Sequence, residues 1–181
     1  MIAAIVAAEI AFWVVLLGGL TARYVLRRQR LSTALLVSVP LVDVALLCFV
    51  AIDIVRGAPP SQGHALAAAY LGITVAFGHS LVQWADARFR HRFAGGPKPV
   101  KPPKGSAAAV RALWVEWYRV VVAAAVTAAM LLVMIALDGS PIPRSREDLT
   151  ASPYWSMMAT AGLITGIWFL AGPAFAGRGK R

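Results

Sequence analysis

An all-α bundle of five transmembrane helices is what this sequence predicts, on three observations. Of its 181 residues, 59% are hydrophobic and only 14% are charged, roughly half the ~25% charged share of a soluble domain. Mean hydropathy is +0.69, whereas a wetted exterior on a chain of this size needs far more polar surface. Five stretches are long enough to cross a bilayer core about 30 Å thick, which takes roughly 20 apolar residues at ~1.5 Å rise each. The composition also excludes a disordered chain, which is poor in apolar residues. With Cys48 as the single cysteine, a disulfide scaffold is excluded as well.

The spans fall at residues 2–22, 31–55, 65–85, 112–137 and 154–177. Helix is the expected element because a backbone in lipid must satisfy its own hydrogen bonds, and no run alternates with period two as a barrel strand does. The first span reads as retained rather than as a signal peptide. No basic residue precedes it, and Arg23, Arg27, Arg28 and Arg30 follow it. Its Gly18-Gly19 pair suggests close helix contact or a bend. The second span carries Pro40, Asp43 and Asp53, and the third carries His79 and Gln83. Ser106 is placed to cap the fourth, where Trp114, Trp117 and Tyr118 form an interfacial aromatic belt and Glu116 can pair with Arg119. Ser152 and Pro153 read as N-cap and first helical residue of the fifth.

Lys and Arg counts set the orientation. Fifteen of the 18 lie after span one, between spans three and four, or in the C-terminal tail; Arg56, Arg144 and Arg146 lie on the opposite side. The crowded side is expected to be cytoplasmic, which puts the N-terminus out and the C-terminus in. The expectation is therefore one integral domain over residues 1–181, in a bacterial cytoplasmic (inner) membrane.

The basic segment 88–105 holds Arg88, Arg90, Arg92, Lys98, Lys101 and Lys104 around four prolines, which remove backbone donors and favour extended chain. At the edge of an anionic leaflet each such cation contributes about 1 kcal/mol. These six are therefore candidate lipid-headgroup residues, or else a solvated cluster that only sets topology. Nucleic acid is not an expected partner, since the positive-inside rule accounts for the charges and no recognition fold accompanies them.

An ionisable group inside a span costs about 2.5–3.5 kcal/mol on insertion scales, so each one needs a reason. Asp43 sits near the middle of span two, three residues after Pro40, a helix-kinking residue whose ring clashes with the Leu36 carbonyl. A midplane carboxylate beside a freed carbonyl suits a cation or proton site; pairing with a neighbouring helix is the alternative. His79, Gln83 and Asp86 recur at i, i+4 and i+7, with Arg90 one turn on and able to pair with Asp86. Ala68, Gly72 and Ala76 form a small-residue stripe on the same helix, so stripe and polar row are both expected to face protein. The row suits a packed interface or a proton relay. Glu9, Asp53 (near water or Arg56) and His64 either line an outer vestibule towards Asp43 or are separate interfacial groups. Gly162 and Gly166 form a packing face for a helix of this chain or of a second copy.

Other chemistries find less support. Haem would need a second histidine helix beside His64 and His79, and the remaining histidine, His91, is in a loop. Three scattered histidines and one cysteine make no zinc cluster, and there is no nucleophile elbow, HExxH or phosphate-cradling loop. No cofactor or metal is expected.

The run His79 to Lys104, with WADARFRHRFAGG followed by a proline-lysine loop, resembles small multi-span membrane proteins of high-GC Gram-positive bacteria. Ala-rich, Arg-over-Lys usage fits that source. The resemblance covers spans three and four and carries no functional residue across.

Together these readings lead to a small ion- or proton-linked membrane transport or channel component, with Asp43 at its centre and His79, Gln83 and Asp86 on the cytoplasmic approach. A non-transporting scaffold or lipid-binding assembly subunit is the alternative, and an intramembrane haem or quinone protein the second. Expected partners are anionic lipid headgroups, and further copies of the chain or other membrane subunits.

Overall fold

Helices α1 (Ile2–Tyr24) and α2 (Gln29–Val55) are joined by a tight link in which Arg27 takes a left-handed φ of 53°. Then follow α3 (Gln62–Phe93), α4 (Ala107–Asp138), the short α5 (Arg146–Ala151), α6 (Pro153–Ala171) and a 3-10 turn at Pro173–Phe175. This computed structural model describes residues 2–98, 100, 102, 103 and 105–176, without the side chains of 2, 4, 5, 37, 39–44, 46 and 47. Among the described residues there is no strand.

Four helical segments among the described residues, Val6–Tyr24, Gln62–Phe93, Ala107–Asp138 and Pro153–Phe175, are long and apolar enough to cross a membrane. They correspond to the first, third, fourth and fifth predicted spans. The second predicted span falls on α2, which is 27 residues long. Pro40 and Asp43 lie within α2, and their side chains are outside the described residues, as are Lys101 and Lys104.

The chain divides into two compact units, residues 1–52 with 78–100, and residues 53–77 with 101–181. In the first, Phe12, Leu16 and Leu20 recur every four residues on α1 and bury against Ala85, with Leu36, Leu81, Val82 and Phe89 packed around them. Gly18 and Gly19 let α2 approach, since a Cβ on Gly19 would lie 3.0 Å from the Leu36 side chain. In the second unit α4 and α6 pack together. Trp117 Nε1 donates to the Thr165 carbonyl over 3.3 Å, and the Trp117 and Phe169 rings lie 5.3 Å apart. The small residue Gly72 brings α3 against α4: the space a Cβ would fill is occupied by Thr127 Oγ1 and the Ala123 carbonyl oxygen.

Helix ends follow local chemistry. Ser106 caps α4 by accepting from Ala109 N over 3.1 Å, and Ser152 caps α6 with Pro153 in the first turn, both as the sequence predicts. The fifth predicted span was to reach residue 177, but helix α6 stops at Ala171. Pro173 cannot continue it, lacking an N–H and carrying a ring that collides with the preceding turn.

Helix α5 lies in what reads as a plain outer loop from sequence. Ser145 and Asp148 close a capping box: Asp148 N donates to Ser145 Oγ, and Asp148 Oδ2 accepts from Ser145 N at 3.0 Å and Arg144 N at 3.1 Å. The backbone hydrogen bond from Arg144, then that of the Ser145 side chain, holds the Asp148 carboxyl below its usual range. A carboxyl lowered in this way stabilises its helix above the ordinary carboxylate range and stops doing so as pH falls through the lowered value. Hydrogen-exchange protection at Ser145 and Arg144 should therefore drop on acidification in the wild type. In Asp148→Asn it should be low and flat with pH.

Candidate functional site

Three polar constellations organise the described ionisable groups, and each has a helix-level cause. The first closes the α2–α3 turn. Gly57 (φ 82°), Pro59 and Pro60 end α2, and Ser61 caps α3 by accepting from His64 N over 3.3 Å. The imidazole one turn in is 1% exposed. Its Nε2 lies 2.9 Å from Asp53 Oδ2 and its Nδ1 lies 3.2 Å from Ser61 Oγ. An ionised carboxylate only accepts, so Nε2–H donates to Asp53, and in the neutral imidazole Nδ1 then accepts from the Ser61 hydroxyl. Asp53, with 42% of its side chain exposed, connects this buried ring to the exterior. The sequence places Asp53 near water or Arg56; its side chain is 42% exposed, and His64 is its hydrogen-bond partner.

The second constellation is built on Asp86, whose Oδ1 accepts from Tyr24 Oη over 2.8 Å. Arg23 Nη1 stands 3.7 Å from Oδ1 and Arg90 Nη2 stands 3.6 Å from Oδ2. The Asp86–Arg90 pair is the one predicted from spacing, and the α1 partners Tyr24 and Arg23 are additional. The third is the exposed pair His79 and Gln83, with Nε2 of each 2.9 Å apart.

The predicted polar row is therefore divided. Asp86 turns into the packed α1 contact, while His79 and Gln83 bond to one another on an exposed face rather than facing protein. An i, i+4, i+7 row spans enough of the helix circumference for its ends to meet different surroundings. Glu9 accepts from Trp13 Nε1 over 2.9 Å on the exposed side of α1. In the small stripe Ala68 is buried, Gly72 is buried against α4 and Ala76 is half-buried. Around Gly162 and Gly166 nothing among the described residues lies within 4 Å of a built Cβ, so that face of α6 is open there.

Of the candidate headgroup cations, Arg90 is engaged with Asp86, and Arg88 lies 4.4 Å over the Trp84 ring. Arg92 and Lys98 are exposed. Both ring nitrogens of His64 are hydrogen-bonded within the chain. Among the described residues no group of three or more His, Cys, Asp or Glu converges on a metal position.

Three cavities lie on the second unit, and none has Glu9, Asp53, His64, His79 or Asp86 in its wall. One is an apolar slot of about 420 Å3 between α3, α4 and α6. Beside it an open hollow of about 710 Å3, the chamber, is lined by Phe77 of α3 and otherwise by the start of α4, with Arg111, Glu116 and Arg119 among its residues. Among the described residues the predicted Glu116–Arg119 ion pair does not form. Sequence reasoning missed this chamber because its cations belong to a charge cluster already explained by topology.

Long apolar helices that carry buried, paired ionisable groups define a multi-span α-helical membrane protein. The chain is 43% identical over 98 residues to the uncharacterized membrane protein YmcC of Bacillus subtilis (strain 168). That match covers 54% of this chain and 53% of the relative, so the chain spans about half the length of the curated relative it matches. The resemblance to membrane proteins thus holds in that coarse form, while a high-GC source gains no support from this relative. No family model and no solved structure matches the chain.

Proposed function

We propose that the protein crosses the bacterial cytoplasmic membrane five times, N-terminus out, and works as a small proton-linked component of membrane transport. The Asp53–His64 pair is the group that takes up and releases the proton at the outer face. One observation carries the reading: an imidazole 1% exposed, at the end of a membrane-length helix, with a half-exposed carboxylate 2.9 Å from one ring nitrogen. Proton uptake at Nδ1 displaces the Ser61 hydrogen bond and leaves an imidazolium paired with Asp53, so the positive charge stays compensated. Buried ionisable groups in membrane helices are rare, paired and concentrated along proton and ion paths.

Asp43 lies ten residues before Asp53 on the same helix. His79 and Gln83 supply a further exchangeable pair on α3. Counting α2 as a span, and placing fifteen basic residues inside, supports the topology. The open Gly162–Gly166 face supports packing against a second copy or another membrane subunit.

Proton entry into proteoliposomes holding a pH-sensitive dye tests the reading. After an external acid step, wild-type protein is expected to collapse the gradient at least tenfold faster than His64→Gln. Equal rates for the two proteins, or a wild-type rate no faster than that of empty liposomes, would overturn it.

A further inference from the structure

The slot and the chamber on the second unit are open grooves that border on the same two residues, Phe77 and Glu116, so they adjoin, and a path along the surface leads from apolar lining to a basic mouth. On α4 the slot runs from Glu116 to Thr127, eleven residues or about 16 Å of helix. That is the depth of one leaflet, half of a hydrocarbon core about 30 Å thick. The mouth lies level with Trp114, Trp117 and Tyr118, an aromatic cluster of the kind that sits at the headgroup boundary. Arg111 and Arg119 stand in the chamber wall, and among the described residues neither forms an ion pair. The first turn of α4, Ala107 and Ala108, also walls the chamber, and helix N-termini favour negative charge.

We propose that this path binds one molecule of an anionic phosphodiester lipid from the leaflet around the N-terminal end of α4. One acyl chain fills the slot, and the phosphate rests between Arg111 and Arg119. The charges select the headgroup. Two guanidinium groups and the Glu116 carboxylate sum to a single positive charge, which matches a phosphodiester with one negative charge. The carboxylate at the throat accepts hydrogen bonds, so it favours a headgroup bearing hydroxyl donors, as phosphatidylglycerol does. A choline headgroup offers no N–H or O–H to Glu116 and carries a cation towards the arginines. Bidentate guanidinium contact with phosphate gives the mouth its geometry. This proposal stands independently of proton exchange at His64, because it uses none of the same residues.

The test uses the full chain in detergent, mixed with phosphatidylglycerol or phosphatidylcholine and examined by native mass spectrometry. Wild-type protein is expected to retain one phosphatidylglycerol at least tenfold more than phosphatidylcholine. The double variant Arg111→Gln with Arg119→Gln should lose that preference, and Arg111→Lys with Arg119→Lys should recover most of it. Ala161→Phe, which fills the slot and leaves the mouth intact, should also lower retention about tenfold. Thermal unfolding of each variant establishes that it is folded. Undiminished phosphatidylglycerol retention in the glutamine double variant would overturn the proposal, as would equal retention of the two lipids by the wild type. Displacement of the lipid by equimolar glycerol phosphate would overturn it too, since the mouth alone would then be the site.

Discussion

Gly72→Val is expected to lower the stability of the folded chain in micelles by about 2–3 kcal/mol, at the upper end of the usual overpacking cost. The reason is local. At Gly72 the place of a Cβ is already taken by Thr127 Oγ1 and the Ala123 carbonyl oxygen, and Thr127 N is 3.1 Å away. Two of these three atoms are backbone, and the third belongs to a β-branched side chain with a stiff χ1, so none can swing aside. Helix α3 must instead move off α4, and close backbone approach is what holds membrane helices together. The same substitution at Gly162, where nothing lies within 4 Å, should change the monomer by no more than about 0.5 kcal/mol. Unfolding by a denaturing detergent, followed by tryptophan fluorescence, compares the two. Equal effects at the two glycines would mean that α3 and α4 are not in contact at Gly72.

Asp86→Ala is expected to cost about 2 kcal/mol, with most of it coming from one partner. A neutral donor bonded to a charged acceptor contributes about 1.5–3 kcal/mol, which describes Tyr24 Oη at 2.8 Å. The two guanidinium groups stand farther off, at 3.6 and 3.7 Å, and are themselves half exposed, and exposed ion pairs contribute about 0–1 kcal/mol. Tyr24→Phe should therefore reproduce most of the loss, and Arg90→Ala should cost under about 0.5 kcal/mol. A double-mutant cycle between Asp86 and Tyr24 should show a coupling of more than 1 kcal/mol. If Arg90→Ala proved as costly as Tyr24→Phe, the carboxylate would be held by charge rather than by the tyrosine.

What could be read from sequence is what depends on near neighbours along the chain. Apolar runs mark the long helices, Ser106 and Ser152-Pro153 mark two starts, and the four-residue repeat through Gly72 marks a close approach. Spacing also gives the Asp86–Arg90 pair. Helix α5 was missed, because proline and charge give residues 138–153 the look of a loop and its only local signal is the capping-box spacing of Ser145 and Asp148.

Contacts between residues distant in sequence were not legible. Tyr24 and Asp86 are 62 residues apart, and nothing in the composition of α1 singles out its last tyrosine as a donor. His64 and Asp53 both read as interfacial groups; the Pro-rich turn between them brings them to 2.9 Å. The division of the His79–Gln83–Asp86 row depends on where α1 lies against α3, which periodicity within α3 does not encode. Arg111 reads from sequence as a topology charge and Arg119 as that and a partner for Glu116, because the groove they line exists only once α3 and α4 are assembled.

The central claim is that a proton entering from the outer face uses Asp53 and His64 as one relay. Its most direct test is the initial rate of acid-driven proton entry for wild type, Asp53→Asn, His64→Gln and the double variant, each reconstituted in the same orientation. Groups acting as one unit are non-additive. Each single variant should therefore lose at least tenfold, and the double variant should lose no more than either single one. Single-variant losses that multiply in the double would describe two separate routes, and a double variant as fast as the wild type would leave the pair with only the task of holding α2 to α3.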